Sequence, residues 1–243
     1  MEIERHFHVP PSQYRHELKY FCTEAELKII ESRLRTVMEP DKHAGPSGEY
    51  TIRSVYFDDC YGSCFASNDS GTDPREKFRI RAYNCTDKVI SLEKKIKNRG
   101  MTGKQSCRID RETCMKMIAG EPITEQLGRD PLLDEWILMC GQRLLRPVML
   151  GEYVRQPFVY RLGNVRVTFD RHISASRTYG GIFTPDIGRV SVLPTGRSVL
   201  EVKWDDYLPD VIYRMIDMGH LQQTTFSKFY LGCKALGGRV NEL

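Results

Sequence analysis

Charged residues at alternate positions of short apolar segments carry the chemistry of this 243-residue chain. In Phe78-Arg79-Ile80-Arg81 two arginines alternate with apolar residues. Ser91-Leu92-Glu93-Lys94-Lys95-Ile96-Lys97 and Val199-Leu200-Glu201-Val202-Lys203-Trp204 repeat the arrangement. Successive side chains of a strand point to opposite faces, so Arg79 and Arg81 share one face and Phe78 and Ile80 the other. For any single strand, a charged face turned to water is the simpler reading. Repetition weighs against it. The charged face collects Arg15, Glu17 and Lys19, then Arg53, Arg79, Arg81, Glu93, Lys95 and Lys97. Lys104, Arg108, Arg155, Arg166, Asp170, Glu201 and Lys203 extend it. Two like charges ~5 Å apart repel by roughly 3 kcal/mol at an effective dielectric near 20, so a concave surface lined in this way needs an anion to compensate it. The pattern points to a polyanion site.

The elements that position these residues are mostly strands. Tyr14 to Phe21 reads as a strand, and Thr23-Glu24-Ala25-Glu26 is a capping box opening a helix to about Val37, with Leu27, Ile30 and Leu34 as its apolar stripe. Tyr50 to Asp58 has strand character, and strands dominate from there to about Ile109. Asp110 caps a helix ending near Gly120, and Asp130-Pro131 starts another through Trp136 and Cys140. Strands resume at Val148 to Val154, Val159 to Tyr160, Asn164 to Asp170 and Val199 to Trp204. Helices over Asp210 to Met218 and Phe226 to Leu236 follow, with Val211, Met215 and Ile216 read as core. With no linker or repeat, one α+β domain over residues 1–243 is expected, with residues 1–13 a polar leader. About eight strands with converging charged faces favour a closed antiparallel barrel with a polar lumen and helices packed outside.

Composition bounds the ligand. The formal net charge is only +4, and the cations are not interleaved with an aromatic platform, so nucleic acid is not the expected partner. The eight cysteines show no Cys-x-x-Cys pair or zinc-type spacing. Neither a signal peptide nor a membrane-spanning run is evident, so free thiols and a cytoplasmic location are expected. Any movement of product across a membrane would then require a separate membrane protein partner.

Several motifs occur together in a specific order. They are Arg15-His16-Glu17-Leu18-Lys19-Tyr20, Arg53-Ser54-Val55-Tyr56-Phe57-Asp58, Phe78-Arg79-Ile80-Arg81-Ala82-Tyr83 and Leu92-Glu93-Lys94-Lys95. Val165-Arg166-Val167-Thr168-Phe169-Asp170, Leu200-Glu201-Val202-Lys203 and Phe226-Ser227-Lys228-Phe229-Tyr230 complete the set. Over nearly the whole chain this resembles the VTC domain, the catalytic domain of the vacuolar transporter chaperone polyphosphate polymerase and its bacterial relatives, within the CYTH-like triphosphate tunnel metalloenzymes. The resemblance implies an eight-stranded tunnel that binds ATP and a growing polyphosphate chain, or pyrophosphate as primer, and transfers the γ-phosphoryl group with release of ADP. By position it implies Lys19, Arg79, Arg81, Lys95, Arg155, Arg166 and Lys228 as phosphate ligands. Glu201 matches the glutamate that holds a divalent metal, Mn2+ or Mg2+. Lys104 and Arg108 both fit the second tunnel-strand basic position, and Arg53 and Lys203 join the binding set from the alternation pattern.

Two departures bear on the reaction. Tunnel hydrolases of the broader superfamily begin Glu-x-Glu-x-Lys, whereas this chain has Arg15-x-Glu17-x-Lys19, which favours the VTC branch over triphosphate hydrolysis. Where relatives carry a basic residue before the Arg-x-Arg strand, this chain has Asn68 within Ser67-Asn68-Asp69-Ser70-Gly71, with Arg75 and Lys77 as the cations that could replace it. A tunnel triphosphatase and a non-catalytic polyphosphate- or nucleotide-binding module are the alternatives. Glu93 fits counter-ion and ligand equally, and Asp170 is expected to pair with a tunnel cation.

Overall fold

The computed structural model describes residues 14–238, so the leader expected over residues 1–13 lies outside the described residues. One antiparallel sheet dominates it. Its continuous path runs β1 (His16–Thr23), β10 (Arg197–Trp204), β8 (Val165–Ser176), β7 (Arg146–Tyr160), β3 (Tyr50–Asp58), β4 (Arg75–Tyr83), β5 (Thr86–Asn98) and β6 (Met101–Arg108). Two-residue strands β2 (Glu39–Pro40) and β9 (Val190–Ser191) pair with β7 and β8. The β4–β5 and β5–β6 hairpins turn at Asn84-Cys85 and Arg99-Gly100, each with positive φ at both residues, the backbone that matches the twist of the flanking strands.

The path curls until its two edges meet. Among the described residues β1 and β6 touch through a single bridge, in which Arg15 and Thr102 exchange N–H···O bonds of 2.9 and 3.0 Å. Beyond that point the free edge of β1 is taken by the irregular segment before the last helix, with Tyr20 bridged to Gln223 and the Thr224 N–H donating to Lys19 O at 2.8 Å. The wall is therefore an open, strongly curled sheet and not the closed barrel expected from the strand count. Alternation of charge reports a converging face but not whether the edge strands stay in register along the seam.

The outer face is apolar and covered. Val55, Phe57, Phe78, Ile80 and Leu92 pack under α3 (Arg111–Ala119) and α4 (Pro131–Arg143), with Trp136 2% exposed at the centre. Val167, Phe169, Leu200 and Val202 pack under α1 (Glu24–Leu34) and α5 (Asp210–Ile216). The capping box on α1 and the Asp110 and Asp130 caps on α3 and α4 form as expected. On α5, Ile212 and Ile216 are buried and Met215 is partly buried, whereas Val211 faces outward at 37% exposure.

Two helices depart from expectation. The short α2 (Ser63–Asp69) has no apolar period to announce it, and its N-terminal amides are held by Asp58, whose carboxylate accepts the N–H groups of Cys64 and Phe65 at 2.8 and 2.9 Å. The last helix, α6 (Lys228–Ala235), lies on the inner face. Phe229 and Cys233 pack on Tyr56, Met149 and Ala175 and plug one end of the lumen, which corrects the expectation that all helices lie outside. The two expected segments of β7 form one 15-residue strand. All eight cysteines are free. Among the described residues no helix is long and apolar enough to cross a membrane.

Candidate functional site

The curled wall encloses a cavity of about 510 Å³. Among the described residues its lining includes thirteen lysines and arginines against three glutamates, so the local charge far exceeds the chain's net +4. Alternation does the positioning: β4 turns Lys77, Arg79 and Arg81 inward while Phe78 and Ile80 go to the outer core, and β10 turns Glu201 and Lys203 inward while Leu200 and Val202 go out.

One half of the wall is built from β4, β5 and β6. Glu93 on β5, 2% exposed, is its central counter-ion: Arg79 binds it at 2.6 Å, Lys104 at 3.3 Å and Arg81 at 3.7 Å. Burial would raise the Glu93 carboxyl, but Arg81, Arg79 and Lys104 override it and hold the group well below the ordinary carboxylate range. Tyr56 accepts from Arg79 at 3.4 Å, and Tyr153 accepts from Arg81 at 3.5 Å. For Tyr56, burial pushes the phenol up, and Arg79, Arg81, Lys77 and Lys228 together pull it below its usual value.

The other half comes from β1, β10, β8 and β7, and its charges alternate in sign. Glu17 binds Lys19 at 2.6 Å and Lys95 at 2.9 Å, the second contact reaching from β5 across the seam. Lys203 joins Glu201 at 2.7 Å, and Glu201 also faces Lys19 and Arg155, each at 3.8 Å. Arg155 grips Asp170 with two hydrogen bonds of 2.7 and 2.8 Å, and Lys228 reaches the same carboxylate at 2.6 Å. Burial opposes ionisation of Glu17, Glu201 and Asp170, yet the adjoining cations leave all three below the usual range. Burial also pushes the Lys95 ammonium well below the ordinary lysine value, with Glu17 opposing that shift and Lys19 and Lys203 adding to it.

The structure brings together Lys19, Arg79, Arg81, Lys95, Lys104, Arg155, Arg166, Glu201, Lys203 and Lys228 around this cavity. Arg166 sits toward the rim, donating to Tyr50 Oη at 2.9 Å and pairing with Asp41 at 3.0 Å. Glu93 and Asp170 are counter-ions. Two expected ligands lie elsewhere. Arg53, wholly buried, is on the outer face of β3 with Val55 and Phe57, where it pairs with Glu152 at 2.6 Å. Its guanidinium also ties down the segment after β8 through the carbonyls of Gly181, Thr184 and Pro185. The correction follows from parity, since Ile52, Ser54 and Tyr56 own the inner face of β3. Arg108 is exposed on edge strand β6, four residues beyond Lys104, and does not line the cavity.

Tyr56, Tyr153 and the Gln223–Ser227 segment also line the cavity without having been singled out as ligands. Tyrosine in a strand reads as packing, and an irregular segment has no period, so neither carries a signal of its own. Buried polar atoms facing the space support a polar occupant: Arg81 Nε, Arg166 Nε and Thr168 Oγ1 have no hydrogen-bond partner among the described residues. For a metal, the described residues hold no cluster of three His, Cys, Asp or Glu side chains. Glu201 and Glu17 are two carboxylates on neighbouring strands. Mg2+-like ions bound alongside phosphates take one or two protein carboxylates, with phosphate oxygens and water completing the shell, so this donor pair fits an ion carried with a phosphate ligand and not one caged by protein alone.

None of the curated proteins compared matches the chain. Among solved structures, a candidate adenylate cyclase from Bacillus halodurans aligns with 11% identity and a TM-score of 0.48, over 79% of this chain and 80% of that one. The PH1012 protein from Pyrococcus horikoshii aligns with 12% identity and a TM-score of 0.41, over 86% and 94%. The Mimivirus capping enzyme triphosphatase aligns with 10% identity and a TM-score of 0.36, over 84% and 89%. The family profile of the VTC domain matches residues 14–237, all but the last of the described residues, and the chain belongs to the VTC domain family.

Proposed function

We propose that the chain is an ATP-dependent polyphosphate polymerase that transfers the γ-phosphoryl group of ATP to a polyphosphate chain held in the cation-lined cavity. The observation that carries this reading is the excess of inward-facing cations on β4 to β6, which a linear polyanion would neutralise. Phosphoryl transfer asks a protein for alignment and charge neutralisation more than for covalent chemistry. Arg79 and Arg81 present planar forks suited to non-bridging oxygens, and Lys95, Lys104, Lys19 and Lys228 add point charges. The attacking group, a terminal phosphate, is already ionised near neutral pH, so no general base is needed. Glu201, with Glu17 beside it, would hold a divalent ion against phosphate oxygens, supplying charge neutralisation between adjoining phosphates.

Hydrolysis would instead require a carboxylate to position and deprotonate water. Glu17 and Asp170, the candidates, are both saturated by cations and held below the usual carboxylate range, which makes them weak bases. The site therefore favours transfer over the triphosphatase reading. The test is incubation of the protein with ATP, pyrophosphate and Mn2+, followed by phosphorus NMR. Growth of mid-chain phosphate signal with ADP is expected. Orthophosphate alone would replace the polymerase with a hydrolase, and unchanged ATP despite tight triphosphate binding would make the chain a binding module.

A further inference from the structure

Lys77 stands on β4 two residues before Arg79 and lines the same cavity. Its ammonium donates to Ser227 Oγ at 3.2 Å and lies 5.6 Å from the centre of the Phe229 ring. Arg79, Lys95 and Lys228 each have a carboxylate within 3 Å. No carboxylate of the described residues comes within ion-pair distance of Lys77. Asn68 of α2, which also borders this end of the cavity, does not supply a lumen contact in its place, because its amide donates to Cys64 O one turn back on its own helix at 2.9 Å.

Ser227 completes the arrangement. Its hydroxyl oxygen caps α6 by accepting the Tyr230 N–H at 3.3 Å, and it accepts the Lys77 ammonium as well. A hydroxyl that accepts twice still has its own proton to give, and no acceptor among the described residues receives it. Burial holds the Lys77 ammonium below the usual lysine value; Cys64 and Tyr56 offset this in part, and Lys19 and Arg79 add to it. An anion at this point would meet an underused ammonium, a hydroxyl proton and the amide end of a helix.

We infer that Lys77 and the Ser227 hydroxyl form an additional oxyanion subsite at the α6-plugged end of the cavity, which takes one more phosphoryl group of a linear condensed phosphate than the Glu93-arginine wall holds. Lys77 is then a specificity-determining residue that favours longer chains over pyrophosphate. The inference rests on the reading of the cavity as a condensed-phosphate site and assigns chain-length preference to one lysine within it.

The experiment is calorimetric titration with pyrophosphate and with tripolyphosphate on the wild-type chain and its Lys77→Met, Lys77→Arg and Arg81→Ala variants. Lys77→Met is expected to lose about tenfold in affinity for tripolyphosphate and to change by less than about twofold for pyrophosphate. Lys77→Arg should recover most of the tripolyphosphate affinity. Lys77→Met with wild-type affinity for tripolyphosphate overturns the subsite, and an equal loss for both ligands overturns the chain-length assignment. In either case, loss of both ligands by Arg81→Ala would leave the phosphate reading standing. A wild-type chain that binds neither ligand overturns both.

Discussion

The two halves of the cavity wall use the same residue types to opposite effect. On β1, β10, β8 and β7, lysines and arginines alternate with Glu17, Glu201 and Asp170, and nearly every cation there already has a carboxylate. On β4, β5 and β6, Arg75, Lys77, Arg79, Arg81, Lys95, Lys97 and Lys104 all line the cavity, with Glu93 as the shared inward carboxylate of three of them. A surface neutralised by its own side chains must give up contacts to take an anion, whereas a cation-rich one gains contacts. The number of cations therefore says less about where phosphate sits than the number left without exclusive partners.

The strongest way to break this comparison is to truncate one cation in each half. Arg81→Ala should weaken tripolyphosphate binding about a hundredfold, since it removes a planar fork making charge-assisted hydrogen bonds, while Lys203→Ala should cost about threefold because that lysine is committed to Glu201. Equal losses measured by calorimetry would erase the distinction. A smaller effect of opposite sign comes from Glu93→Gln. Removing the shared carboxylate should raise tripolyphosphate affinity about fivefold and lower the melting temperature of the free protein, with added ligand restoring it. A loss of affinity would mean that Glu93 orients the arginines more than it competes for them.

Acid sharpens the comparison from the side of the free protein. Glu17, Glu93 and Glu201 are held below the ordinary value of 4.5. Their ionisation stabilises the fold fully above pH 4.5, and that stability is lost as pH falls from there through the folded-state values. Thermal melts between pH 7 and pH 3 should show this decline, and Glu17→Gln should flatten its share of it. A melting temperature independent of pH in that window would remove these ion pairs from the stability of the wall. The smallest change in phosphate affinity belongs to Arg53→Met. Glu152 keeps Arg189, but the carbonyls of Gly181, Thr184 and Pro185 lose their buried donor, so the fold should lose about 3 kcal/mol in denaturant titration, yet tripolyphosphate binding should match wild type. Weakened binding in folded protein would return Arg53 to the site.

Much of this could be read from alternation. Phe78-Arg79-Ile80-Arg81 and Leu200-Glu201-Val202-Lys203 assign their own faces, because apolar and charged residues separate cleanly by parity. The same rule places Arg53 outside the cavity: Val55 and Phe57 share its parity and mark that face as the outer core, and the charge of one residue does not reverse the parity of its strand. Capping chemistry made α1, α3 and α4 legible. Helix α2 was not, because its cap comes from Asp58, which precedes the helix by several residues and acts through the fold of the turn.

The sequence by itself determined that this chain builds a strand-rich wall with an apolar outside and a cationic inside, since a period of two is a property of the backbone and needs no tertiary information. Tertiary structure alone decided which cations meet which carboxylates, because Lys95 meets Glu17 only when the two ends of the sheet curl together. It also decided that α6 enters the lumen, that the seam is a single bridge among the described residues, and that Lys77 faces Ser227, 150 positions further along the chain. Contacts between residues so far apart in the chain depend on curvature and stagger accumulated over many strands, and no local pattern encodes that sum.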